Sequence, residues 1–137
     1  MLHSSMLGVG TGLVLYSVPY GLELSVMVAT IMPGVYLGFA WMYGKDFEAL
    51  EESLTLTALS GFNLWCLSKV ALENQPYFAP LSILVHGLVD TLHVVGLYPS
   101  SKHVHSCSPM YPTFCAWFDV AMSTSLAGCI WFFSKNN

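Results

Sequence analysis

The chain has 137 residues, 55% of them hydrophobic and 9% charged, with a net charge of −4 and a mean hydropathy of +0.61. Soluble domains carry about 25% charged residues, so the composition argues against an ordinary soluble fold and for one membrane-embedded domain over residues 1–137. No basic patch is present to suit nucleic acid or anionic headgroups.

Residues 4–43 are almost continuously apolar. As one helix they would be about 60 Å long, twice the hydrocarbon thickness of a bilayer, so a turn is expected within them. Pro19-Tyr20-Gly21-Leu22-Glu23 holds a proline, a glycine and the only charge of the run, which predicts helices over about 4–20 and 23–43. Without that turn the count falls from five helices to four. Pro33-Gly34 is expected to kink or end the second helix. The N-terminus lacks the positive region of a secretory signal and no small-residue cleavage site follows, so the first segment is expected to stay in the mature protein.

A third helix is expected over about 47–70, opened by the acidic run 46–52, where negative charge suits a helix N-terminus. A fourth is expected over about 77–98 and a fifth over about 112–133. Trp41, Tyr43, Tyr77, Tyr98, Tyr111 and Trp131 lie near helix ends and fit interfacial belts. Gly8, Gly10 and Gly12 read as helix-packing positions. Cys66 and Cys129 read as small core residues. Lys45 and Lys102 fall on one side of the five-helix arrangement and Lys69 and Lys135 on the other, so charge gives no orientation. The fold expected is an all-α, polytopic transmembrane helix bundle.

His86, Asp90 and His93 are spaced i, i+4, i+7, which puts them on one helical face within roughly 60°. Measured from the expected helix ends, His93 lies about 7 Å deep, Asp90 about 12 Å, His86 about 18 Å and Asp119 about 10 Å. Glu51 and Glu52 approach from the same side, and Glu52 shares a stripe with Asn63 and Cys66. Cys115 lies one turn from Asp119 and borders the same region. Ionisable groups at membrane depth are costly and mark functional sites by default. Imidazole and carboxylate suit zinc or iron, so His86, Asp90, His93 and Asp119 are the candidate metal ligands. Glu52 and Asp119 are the candidate catalytic carboxylates, orienting a ligand or acting as general base. Two other readings stand beside this one: a metal-free acid–base site, and a polar network that ties helices together. His103 and His105 in the following loop supply a further ligand or stay solvated.

The run H-G-L-V-D-T-L-H followed by P-M-Y-P-T-F-C-A-W-F-D resembles a group of small bacterial and fungal integral membrane proteins that have no assigned activity. The resemblance covers about residues 35–125 and implies the fold and the site's position. Where that group has a tryptophan before the aspartate and a second histidine, this chain has Val89 and Val94.

The expected function is that of a multi-pass membrane enzyme dependent on zinc or iron, acting on a lipid or other apolar small molecule. The alternatives are a non-catalytic accessory subunit of a membrane complex and a metal-free acid–base isomerase. Expected partners are membrane lipids and an apolar substrate, with a homo-oligomer or larger membrane complex also open, and no nucleic acid.

Overall fold

The computed structural model describes residues 1–44, 46–98, 101 and 110–135. The first apolar run does turn where proline and glycine interrupt it. Helix α1 (Leu2–Ser17) ends as Val18 becomes extended, and Tyr20 takes the left-handed φ of 58° that reverses the chain into α2 (Gly21–Ile31). Pro33 then breaks the second run. It lacks a backbone donor, so the ladder lapses between α2 and α3 (Gly34–Tyr43) and resumes with the Tyr36 N–H donating to Pro33 O at 3.1 Å. The two halves form one kinked span of 23 residues over Gly21–Tyr43.

Helix α4 (Asp46–Glu73) has 28 residues, about 42 Å at 1.5 Å per residue. It outlasts the expected boundary at 70 because Lys69 and Glu73 pair at i, i+4 with a 2.7 Å contact, and Asn74 supplies the left-handed residue (φ 52°) that stops it. Helix α5 (Phe78–Val94) ends four residues short of the expected boundary. Gly96 takes φ 74° and closes a Schellman motif: the Leu97 N–H donates to Leu92 O at 3.1 Å and the Gly96 N–H to His93 O at 3.2 Å. His93 therefore sits in the last turn, and every distance measured from that helix end shrinks by about 6 Å. Helix α6 (Tyr111–Ser134) opens with Pro112 in its first turn, where the missing donor is harmless.

Among the described residues the fold is all-helical, with five helical segments if α2 and α3 count as the one broken span they form. The spans Gly21–Tyr43 and Tyr111–Ser134 are long and apolar enough to cross a membrane, and α5 is apolar but shorter at 17 residues.

Helix α5 packs against α2, α4 and α6, and α1 lies along α6. The α1–α6 seam uses Gly8, where an added Cβ would come 2.5 Å from Phe118 O, and Gly12, where it would meet Ser125 at 3.0 Å. Gly10 is no packing position: an added Cβ there has nothing within 4 Å, because it is half a turn from its two neighbours. Two small apolar clusters, Val26/Cys66/Val70/Ala79 and Ala29/Ile83/Met122/Leu126, hold the end of the bundle where α4 finishes and α5 begins. Toward the other end of α5 the interior is polar.

Candidate functional site

Three of the expected ligands converge. His86 and Asp90 stand one turn apart on the buried face of α5, and Asp119 faces them from α6. His86 Nδ1–H donates to Asp119 Oδ2 at 2.5 Å, and Asp90 Oδ2 lies 3.6 Å from the same nitrogen. One ligand atom from each residue fits within 4.8 Å of the others, and all three side chains are buried. Close approach of the helices makes this contact. An added Cβ on Gly87 would lie 2.9 Å from Asp119 Cβ, so only glycine next to His86 lets α6 bring its carboxylate in. Two polar atoms of the cluster, His86 Nε2 and Asp90 Oδ2, are buried without a hydrogen-bond partner among the described residues. An orphaned buried polar group costs about 1–3 kcal/mol.

His93 belongs to a different set of contacts. Its Nδ1–H donates to Val89 O at 3.0 Å and its Nε2 meets Glu52 Oε1 at 2.9 Å. Glu52 is buried on the α4 stripe with Leu59, Asn63 and Cys66, as its spacing implied, but it meets this imidazole rather than the His86 cluster. The His93 ring is sandwiched. Tyr36 stacks on it with centroids 3.8 Å apart and an 11° interplanar angle, and Tyr98 stacks on it at 4.6 Å and 12°.

Tyr36 joins the two sets. Its hydroxyl donates to Asp90 Oδ1 at 2.7 Å, and its side chain is among the largest that are fully buried. Tyr36 is not among the residues expected at the site. The available signal was a tyrosine inside the apolar run 23–43, whose hydroxyl needs an internal partner if it is buried. Tyr98 and Tyr111, expected in an interfacial belt, point inward instead: Tyr98 onto His93 with its hydroxyl 3.0 Å from Thr55 Oγ1, and Tyr111 edge-on to Tyr36 with centroids 5.7 Å apart. Trp41, Tyr43, Tyr77 and Trp131 are exposed. Cys115 is buried one turn before Asp119, within hydrogen-bonding reach of Tyr111.

A second buried pair lies one turn back along α5, where Ser82 Oγ donates to Asn63 Oδ1 at 2.8 Å and leaves Asn63 Nδ2 without a partner among the described residues. His103, His105 and Cys107 lie outside the described residues.

Fold and site together define an all-helical bundle with a buried His/Asp/Asp cluster beside a Glu–His–Tyr stack. No protein-family model, curated protein or solved structure matches the chain.

Proposed function

We propose that this is a multi-pass integral membrane protein whose His86, Asp90 and Asp119 side chains hold a divalent metal ion, zinc or iron, in an enzyme acting on a lipid or other apolar small molecule. The observation that carries the reading is the buried convergence of three ligand atoms within 4.8 Å, with Asp90 Oδ2 left without a hydrogen-bond partner among the described residues. The distribution of side chains supports the membrane part. Leu54, Leu88 and Trp131 are 63, 59 and 58% exposed on three different helices, while Glu52, Asn63, His86, Asp90, His93 and Asp119 are buried. Exposed apolar surface on this scale calls for cover by lipid or protein. A polar interior under an apolar exterior suits lipid, because intramembrane ionisable groups face the bundle.

A divalent ion at this place supplies Lewis-acid polarisation of a substrate oxygen. The chain's own residues contribute the rest. Asp119 fixes the orientation of the His86 ring through Nδ1, and the α5–α6 seam keeps water from the cluster. A second reading has an observation of its own. In the neutral tautomer that donates Nδ1–H to Asp119, His86 Nε2 would carry a free lone pair, which is the arrangement of an oriented general base. That metal-free acid–base reading predicts indifference to chelators.

The test is metal analysis of full-length protein purified in detergent from membranes washed with alkaline carbonate. Near-stoichiometric zinc or iron in the wild type and its loss in His86→Ala supports the metal reading. Equal metal content in the two removes it, and release of the protein by carbonate alone removes the membrane reading.

A further inference from the structure

Asp90 is held by a residue from outside the three-residue cluster. A carboxylate turns broadly about its last torsion, so whatever anchors one oxygen decides where the other points. Oδ1 is anchored by the Tyr36 hydroxyl at 2.7 Å, and Oδ2 is then left facing His86, buried and unpartnered. Tyr36 has an anchor of its own. Its ring lies flat on His93, and His93 is fixed at Nδ1 by Val89 O and at Nε2 by Glu52. Tyr36 reaches this position from a separate helix because the chain bends at Pro33, three residues earlier.

We infer that Tyr36 is the positioning residue of the metal centre and that the Glu52–His93 pair acts on the centre through it. Glu52 sets the His93 ring, the ring sets Tyr36, and the Tyr36 hydroxyl turns Asp90 so that Oδ2 is offered to the ion. This rests on the metal reading above and gives Glu52 and His93 a role one step removed from the ion. The chain of contacts ends on Asp90 Oδ2, which faces His86 Nδ1 at 3.6 Å.

Cobalt(II) titration of the full chain in detergent tests it, with visible absorption reporting coordination geometry. Tyr36→Phe keeps the ring on His93 and removes only the hydroxyl. It should weaken cobalt about 10–100-fold and alter the spectrum; the melting temperature falls as well, since Asp90 Oδ1 loses its partner, so the altered spectrum is the readout that a merely structural role would not move. Glu52→Gln should weaken cobalt on its own, and should change affinity less than about two-fold when added to Tyr36→Phe, because the link is already cut. Wild-type affinity and spectrum in Tyr36→Phe, with binding still lost in His86→Ala, overturn the inference and leave the metal reading standing. Additive losses in the double variant overturn the relay through Tyr36. A wild-type protein that binds no cobalt, zinc or iron overturns both.

Discussion

Replacing Gly87 by alanine puts one methyl group into the α5–α6 seam at its tightest point. The added carbon would sit 2.9 Å from Asp119 Cβ, whereas carbon atoms in contact lie about 3.5–4.0 Å apart. Relief therefore takes a shift of about 0.6–1.1 Å, borne by Asp119 or by the whole of α6. The His86–Asp119 contact of 2.5 Å would lengthen toward about 3.5 Å, the limit of hydrogen bonding. Overpacking of this kind costs about 1–3 kcal/mol. Alanine at Gly61, a helical position in α4 where an added Cβ has nothing within 4 Å, should instead stabilise by about 0.5–1 kcal/mol. Thermal unfolding of the two variants in the same detergent makes the comparison, with metal content read alongside. Gly87→Ala should melt below wild type and lose metal; Gly61→Ala should melt above it and keep metal. A Gly87→Ala protein as stable and as metal-loaded as wild type would refute the claim that glycine at this position brings Asp119 to His86.

Gly96→Ala forces a Cβ into the left-handed φ of 74° and should destabilise by about 1–2 kcal/mol, seen as a lower melting temperature. It should also free Tyr98 from His93, since the motif at Gly96 turns the chain back over that ring, and tyrosine fluorescence reports the change. Ser82→Ala leaves Asn63 Oδ1 as well as Nδ2 unpartnered and should cost about 1–3 kcal/mol, while the double variant Ser82→Ala/Asn63→Leu should recover most of that in the same unfolding assay. Failure of the double variant to recover stability would mean that the pair does more than satisfy itself.

Much of this architecture is legible in the residues. The turn at 18–20 follows from a run too apolar and too long to cross a bilayer once, and Pro19 and Gly21 say where it falls. His86, Asp90 and Asp119 stand out because ionisable groups in apolar helices are costly, and the i, i+4 spacing settles that the first two share a face. Glu52 is separable from Glu51 because Asn63 and Cys66 continue its stripe. Periodicity does not say which polar residue meets which. His93 shares the face of His86, but the Gly96 turn ends α5 just beyond it and folds Tyr98 over its ring, so it meets Glu52. Tyr36 was hidden because a tyrosine in an apolar span reads as one more aromatic until the bend at Pro33 gives its hydroxyl a direction. Tyr98 and Tyr111 mislead for the same reason: a position near a helix end suits an interfacial belt and an inward stack equally well.

Charge balance is what separates the metal reading from a network that merely ties helices together. Asp90 and Asp119 bring two carboxylates to one imidazole, all three buried. The chain has no arginine, and of its four lysines Lys69 pairs with Glu73 and Lys135 lies over Trp131. No lysine reaches the cluster among the described residues. Burying an uncompensated charge costs several kcal/mol, so two carboxylates beside a single imidazole require a proton or a cation to settle them. Asp90 and Asp119 lie within hydrogen-bonding reach of each other, so a proton shared between them would settle one of the two charges. A divalent ion, on the metal reading proposed above, would offset both, with Asp90, Asp119 and a neutral His86 as the residues that would hold it. Glu52 and His93 show a balanced pair in the same bundle: one carboxyl against one imidazole, with the other ring nitrogen donating to a backbone carbonyl. The His86 cluster has one carboxylate more than that pattern needs, and it is the surplus carboxylate that Tyr36 holds in place.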